Sequence, residues 1–489
     1  MLNNLLTLIC LLPLLGACII MIFPQDSKKL CLNVTLLITS TIFLLSLFLW
    51  IFFDKSSSFF QFSHIWFYFD NINFYYIIGL DGISLFFIIL TAFLINICIL
   101  ISWNSVNFYL KEYLIAFLML EFCLIQVFCV LDLFLFYIFF ESVLIPMFLI
   151  VGVWGSRIRK IRAAYQLFIY TLTGSLLMLL GLIYIYFEIG TFDYQVLSSI
   201  KFSTSIQSIL FLSFFASFAV KIPMVPFHIW LPEAHAEAPT AGSVILAGIL
   251  LKLGGYGFLR FSLVLFPFAS MFYAPLIFLL SLLAVIYASL TTLRQVDLKK
   301  IIAYSSVSHM GFVTIGIFSF NTQGIEGSIL LMLSHGLVSS ALFLCIGILY
   351  DRYKTRVLKY YSGLTQVMPL FICFFLFFSF ANIGFPGTSS FIGEILILIG
   401  ALKINLSLTF FMTFGVILSA AYSIWLLNRV GFGSLNLNYL NYFQDMSRRE
   451  FWLLFPILMS VLWLGLLPSL FLNEIHFSVL NLLDHLNNV

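Results

Sequence analysis

About fourteen apolar runs divide this chain, each long enough to cross the hydrocarbon core of a bilayer, and they constrain its fold more than any other feature. A spanning helix needs about 20 predominantly apolar residues. The runs lie near 2–23, 29–53, 78–102, 113–131, 133–154, 163–187, 206–229, 241–259, 271–293, 300–319, 325–350, 369–402, 406–430 and 450–472. With 62% of 489 residues hydrophobic and 9% charged, little is left over for a water-soluble domain. Strands of a membrane β-barrel alternate apolar and polar residues over about ten positions, whereas these runs are apolar on every face. The expected fold is all-α, a polytopic membrane protein of about fourteen transmembrane helices. The run at 369–402 is too long for one straight helix, and Asn382-Ile383-Gly384-Phe385-Pro386-Gly387 interrupts it, so it reads as one broken span.

Leu15-Gly16-Ala17-Cys18 loosely resembles a lipoprotein cleavage site, but no Lys or Arg precedes it as a signal n-region requires, so the first run is expected to be a membrane helix. The eight cysteines fall mostly inside apolar runs without a C-x-x-C pair and read as small hydrophobes. Neither G-x-G-x-x-G nor a Walker A loop is present, so no nucleotide site is expected.

The basic residues are one-sided. Of 23 Lys and Arg, 17 fall in loops after odd-numbered runs and 4 (Lys55, Lys201, Arg260 and Lys403) in loops after even-numbered runs. The positive-inside rule then places odd-numbered loops on the cytoplasmic or matrix side and both termini on the opposite face. The remaining 2, Lys221 and Lys252, lie inside apolar runs.

A charge near the bilayer centre costs at least about 2.5–3.5 kcal/mol, so such residues face a wet interior and find partners, unless a long side chain snorkels to the interface. Glu141 in the fifth run and Glu121 in the fourth are candidate partners, each with a purely structural role as the alternative. Burial drives carboxylate and ammonium towards neutrality while pairing restores both charges, so making or breaking such a pair is a proton switch. Glu394 lies just after the Pro386 break. His309 and His335 sit in successive runs beside hydroxyls, where an imidazole relays protons near neutral pH or simply completes a hydrogen-bonded core. Haem ligation by this pair finds no other support in the chain.

Two spans are interrupted beside an ionisable group: the seventh, by Pro223 and Pro226 just after Lys221, and the twelfth, just before Glu394. Paired interruptions point to inverted-repeat transport folds, and irregular backbone at that depth implies a polar, hydrated pocket. The expected organisation is 1–110 as helices 1–3, 111–265 as a first five-helix repeat, 266–432 as a second, and 433–489 as a last helix with a short tail. The segment His228–Pro239 carries two histidines and two glutamates, yet its spacing fits no zinc pattern such as H-E-x-x-H. It reads as a structured loop between helices seven and eight.

Taken together, Lys221-Ile222-Pro223-x-x-Pro226-x-His228-x-Trp230-Leu231-Pro232-x-Ala234-His235-x-Glu237-Ala238-Pro239, followed by Lys252, resembles the signature stretch of the antiporter-like membrane subunits of respiratory complex I. Glu141 in Phe-Glu-Ser-Val-Leu-Ile-Pro and the Gly384-Phe385-Pro386-Gly387 to Glu394 stretch are similar to the subunit 4 branch in particular, over essentially the whole chain. The short tail after the last helix, without a long lateral helix, favours that branch over subunit 5. The resemblance implies a Glu141–Lys221 ion pair, Lys252 as central relay, His309 and His335 as relay positions, and Glu394 as the terminal group of a proton channel. It also implies that this chain holds no cofactor and no metal, the FMN, iron–sulfur clusters and ubiquinone belonging to the wider complex. The enzyme label would then belong to the assembled NADH:ubiquinone oxidoreductase. Implied partners are the other membrane-arm subunits, especially neighbouring antiporter-like ones, and membrane lipids, with no nucleic acid. The 59 phenylalanines are compatible with an AT-rich organelle genome, and the mitochondrial inner membrane is the expected location, a bacterial plasma membrane the alternative. The rival functions are a subunit of a cation/proton antiporter and a structural spacer whose charges only hold helices together.

Overall fold

The computed structural model describes residues 4–25, 27–69, 74–435 and 444–487. The expected start of the first span at residue 2 and the end of the tail at 488–489 lie outside them. Among the described residues, twelve helices are long and apolar enough to cross a membrane. The run expected at 300–319 is the helix Leu298–Ile317, and the broken run at 369–402 is two shorter apolar helices, Pro369–Ile383 and Ser389–Leu402. With these, each of the fourteen expected spans has its counterpart.

The chain divides into two compact units. One comprises Met1–Ile222, Lys252–Ala274 and Asn473–Val489; the other comprises Pro223–Leu251 and Pro275–Leu472. In the first, Gly82–Ser105 and Leu110–Cys129 are mostly buried, while Lys28–Ile51 is apolar with only 28% of its apolar window buried, as suits a helix with a lipid-facing side. In the second, Thr322–Tyr353 is the central helix: all of its apolar window is buried, against Leu298–Ile317 and Ser389–Leu402 among others.

Helix ends leave backbone N–H groups without helical partners, and polar side chains satisfy them. Asp81 caps Gly82–Ser105 in a reciprocal capping box with Ser84, Asn321 caps Thr322–Tyr353, and Ser447 with Glu450 caps Arg448–Leu466. The helix Thr240–Leu265 departs from regular geometry at two places, Leu246–Leu250 and Phe258–Ser262, which form wider π turns.

Four expectations are corrected. Gln61–Phe69 and Phe74–Leu80 form an antiparallel hairpin, pairing His64 with Ile78 and Ile65 with Ile77; their aromatic and β-branched residues suit a half-buried ribbon, and the third span accordingly begins at Gly82 rather than 78. The expected loop at 228–239 contains the short helix Trp230–Glu237. The tail after the last span is the helix Ser469–Asn487, docked through a 3.0 Å hydrogen bond from Gly82 N–H to Ser478 Oγ. Finally, Arg260 is no loop residue: it lies in the π turn Phe258–Ser262, almost fully buried.

Candidate functional site

The first unit brings Glu141 and Lys221 into one neighbourhood. Helix Leu133–Ser142 stops at Val143, where Pro146 withholds the N–H that Ser142 would accept, and the chain resumes as Leu144–Trp154. Glu141 therefore sits in a last turn. Lys221 is the final residue of Thr204–Lys221, where Pro223 ends the helix. Its Nζ donates to the Phe140 carbonyl oxygen at 3.2 Å and lies 4.2 Å from the centre of the Phe140 ring.

The implied Glu141–Lys221 ion pair is not closed in this structure, since no lysine nitrogen lies within 4.0 Å of Glu141 among the described residues. A carbonyl of a helix's last turn and an aromatic face hold the ammonium instead, both favourable to a cation. Glu141 has the Ser175 hydroxyl as a hydrogen-bonding neighbour, while its Oε1 is buried with no hydrogen-bond partner.

Lys252 is completely buried, between the two π turns of its helix. A π turn opens the regular backbone ladder and often marks a functional position. Glu121 is also completely buried, with neither carboxyl oxygen hydrogen-bonded and no ion pair to a lysine; it does not partner Lys221 or Lys252 in this structure.

The second unit assembles its groups more closely. His309 Nδ1 lies 3.3 Å from Glu394 Oε1, and its Nε2 lies 3.5 Å from the Tyr422 hydroxyl. The His309 and His335 rings are 5.7 Å apart, centre to centre. Glu394 reaches this position because helix Pro369–Ile383 ends on Gly384 with φ +81°, and a Cβ built there would stand 2.5 Å from Glu394 Oε2. The break thus supplies both a left-handed residue and the space the carboxyl occupies. A second left-handed glycine, Gly387 with φ +91°, precedes the helix Ser389–Leu402.

Several ionic contacts were not expected from the sequence. Arg260 Nη2 binds Asp81 Oδ1 at 2.5 Å within the first unit. In the second, Lys300 binds Glu233 at 2.5 Å, Arg356 binds Glu237 at 3.1 Å, and buried Lys299 donates to the Ala238 carbonyl at 2.7 Å, so three contacts hold the segment Glu233–Ala238. The signal for Asp81 was its Asp-Gly-Ile-Ser cap pattern; the others gave none, because the partners are far apart in sequence. No group of three or more His, Cys, Asp or Glu among the described residues is placed to hold a metal ion.

Residues 130–420 match the family model of the membrane-spanning NADH:quinone oxidoreductase/Mrp antiporter subunits. The chain is 70% identical to NADH-ubiquinone oxidoreductase chain 4 of Chondrus crispus, over 98% of both chains. It belongs to that family. The chain 4 of Marchantia polymorpha is 60% identical, over 97% of this chain and 96% of that one. Among solved structures, a chain of respiratory complex I from Thermus thermophilus with bound NADH superposes with a TM-score of 0.89 at 28% identity, covering 98% of this chain and 99% of that one. A chain of the Mrp complex from Dietzia shares the fold, with a TM-score of 0.86 at 19% identity, covering 99% and 97%. As a chain 4 family member with these apolar helices, the protein is a multi-pass, proton-translocating subunit of NADH:ubiquinone oxidoreductase in the mitochondrial inner membrane.

Proposed function

We propose that protons move through this subunit by way of Glu141, Lys221, Lys252, His335, His309 and Glu394, driven by quinone reduction elsewhere in the complex. Lys221 exchanges its Phe140 contacts for Glu141 when a neighbouring antiporter-like subunit perturbs the pair. That exchange alters the proton affinity of Lys252, and the proton leaves by Glu394. The observation that carries this reading is the His309–Glu394 contact at 3.3 Å with the His335 ring 5.7 Å from that of His309, a buried run of ionisable side chains.

On this reading 111–265 and 266–432 are two inverted five-helix repeats, each with its own break. The chain contributes no redox group, FMN, iron–sulfur clusters and ubiquinone being carried by other subunits, and its contacts are with membrane-arm subunits and lipid. The test is proton pumping measured beside electron transfer in reconstituted complex bearing Lys221→Ala or Glu141→Gln, with assembly assayed separately. Loss of both activities with normal assembly is expected. Retention of both at the normal ratio would leave these charges a structural role only.

A further inference from the structure

Three cations of the second unit converge on one cavity that proton transfer does not use. Arg294 ends helix Pro267–Arg294, Lys359 lies in the connection after Thr322–Tyr353, and Arg429 is in the last turn of Leu406–Gly431. All three line a cavity of about 840 Å³, together with Trp425, Tyr361 and Asn428, and among the described residues no carboxylate lines it. The Arg429 guanidinium lies 6.0 Å from the centre of the Trp425 ring. Asp297, the nearest acid in sequence to Arg294, is turned to Arg356 at 3.6 Å.

These segments are loops or helix ends after the ninth, eleventh and thirteenth spans, so all lie on the lysine- and arginine-rich side of the chain. Below the cavity the same helices are apolar and exposed: Leu283, Tyr287 and Leu290 along one, Phe414, Ile417 and Ile424 along the other. A basic cavity at the membrane surface, opening onto two exposed apolar ridges, matches an amphiphile with a negative head and hydrocarbon tails. A soluble anion would use the cations but not the ridges.

We propose that this cavity binds the headgroup of an anionic phospholipid, with acyl chains lying along the Tyr287 and Ile417 ridges. Three cations lining one cavity, with no ion pair to any of them among the described residues, suit a headgroup carrying more than one negative charge. Trp425 sets its depth at the interface, where amphipathic rings settle.

The experiment uses the assembled complex in phosphatidylcholine vesicles doped with a photoactivatable anionic phospholipid, its reactive group in the acyl chain, and maps labelled peptides by mass spectrometry. Labelling is expected along 283–296 and 414–434, displaced by unlabelled anionic phospholipid and not by millimolar inorganic phosphate. Each of Lys359→Gln and Arg429→Gln is expected to weaken it about fivefold, as loss of one surface cation does, with electron transfer unchanged. Equal labelling by a phosphatidylcholine probe would overturn the proposal in favour of ordinary boundary lipid. Displacement by phosphate would overturn it in favour of an ion site, and unchanged labelling in both variants would show that the cations do not form it. Should the variants fail to assemble, the competition measurements on the unmodified complex decide alone.

Discussion

The two units solve the same problem, keeping ionisable groups inside apolar surroundings, in opposite ways. In the first, Lys221 rests on a carbonyl and a phenyl ring, and Glu141 on a serine hydroxyl. Neutral neighbours hold each group, so trading one partner for another costs little. In the second, His309 touches Glu394 directly and Tyr422 on its other nitrogen. Groups already in hydrogen-bonding range pass a proton without side-chain travel, and they resist separation because either one alone would be left buried and unpaired. The difference separates an element suited to switching from one suited to conduction.

Double-mutant cycles on the thermal stability of the assembled complex, read apart from pumping, sharpen this contrast most. His309→Gln and Glu394→Gln are expected to be non-additive by up to about 3 kcal/mol, whereas Lys221→Ala and Glu141→Gln couple by less than about 1 kcal/mol, the range that separates touching from distant groups. Equal coupling energies in both pairs would erase the distinction. A smaller effect comes from the backbone. Gly384→Ala strains a left-handed residue at a cost of about 1–3 kcal/mol and also pushes a methyl into Glu394. Gly387→Ala meets nothing within 4 Å and so carries the strain alone. Pumping per electron is expected to fall more in the first variant, and similar losses would mean that the Glu394 position does not depend on Gly384. The smallest effects distinguish the neutral neighbours: Phe140→Leu removes the ring beneath Lys221, and Tyr422→Phe removes a hydroxyl from His309, each worth about 1 kcal/mol. With assembly normal, the proton-to-electron ratio should fall modestly in both; a large loss for Phe140→Leu would make Lys221 as tightly wired as His309.

The spans were legible because hydrocarbon demands long apolar helices, and Glu141, Lys221, Lys252 and Glu394 stood out because a charge in such a run is conspicuous. Pairings were not legible. Tyr422 meets His309 across 113 residues and Arg260 meets Asp81 across 179, and neither spacing has a local signature. Arg260 sat at the edge of an apolar run and read as a loop residue; what keeps it inside is a helix cap from a distant segment. The hairpin escaped because its aromatic and β-branched residues carry the same hydrophobicity as a span, and only their short length argues for strands. The π turns around Lys252 have no sequence rule at all.

At the foot of the helices bearing His309 and His335, Leu298 N–H donates to the Arg356 carbonyl and Leu358 N–H to the Val296 carbonyl, both at 2.9 Å. Advancing a helix by one residue means a rise of about 1.5 Å and a turn of about 100°, which would aim an imidazole at a different wall. Two backbone stitches, placed roughly 17 Å below His309 by that rise, act like a key in a shaft, denying the His309 helix the screw motion that would put its ring out of phase with His335.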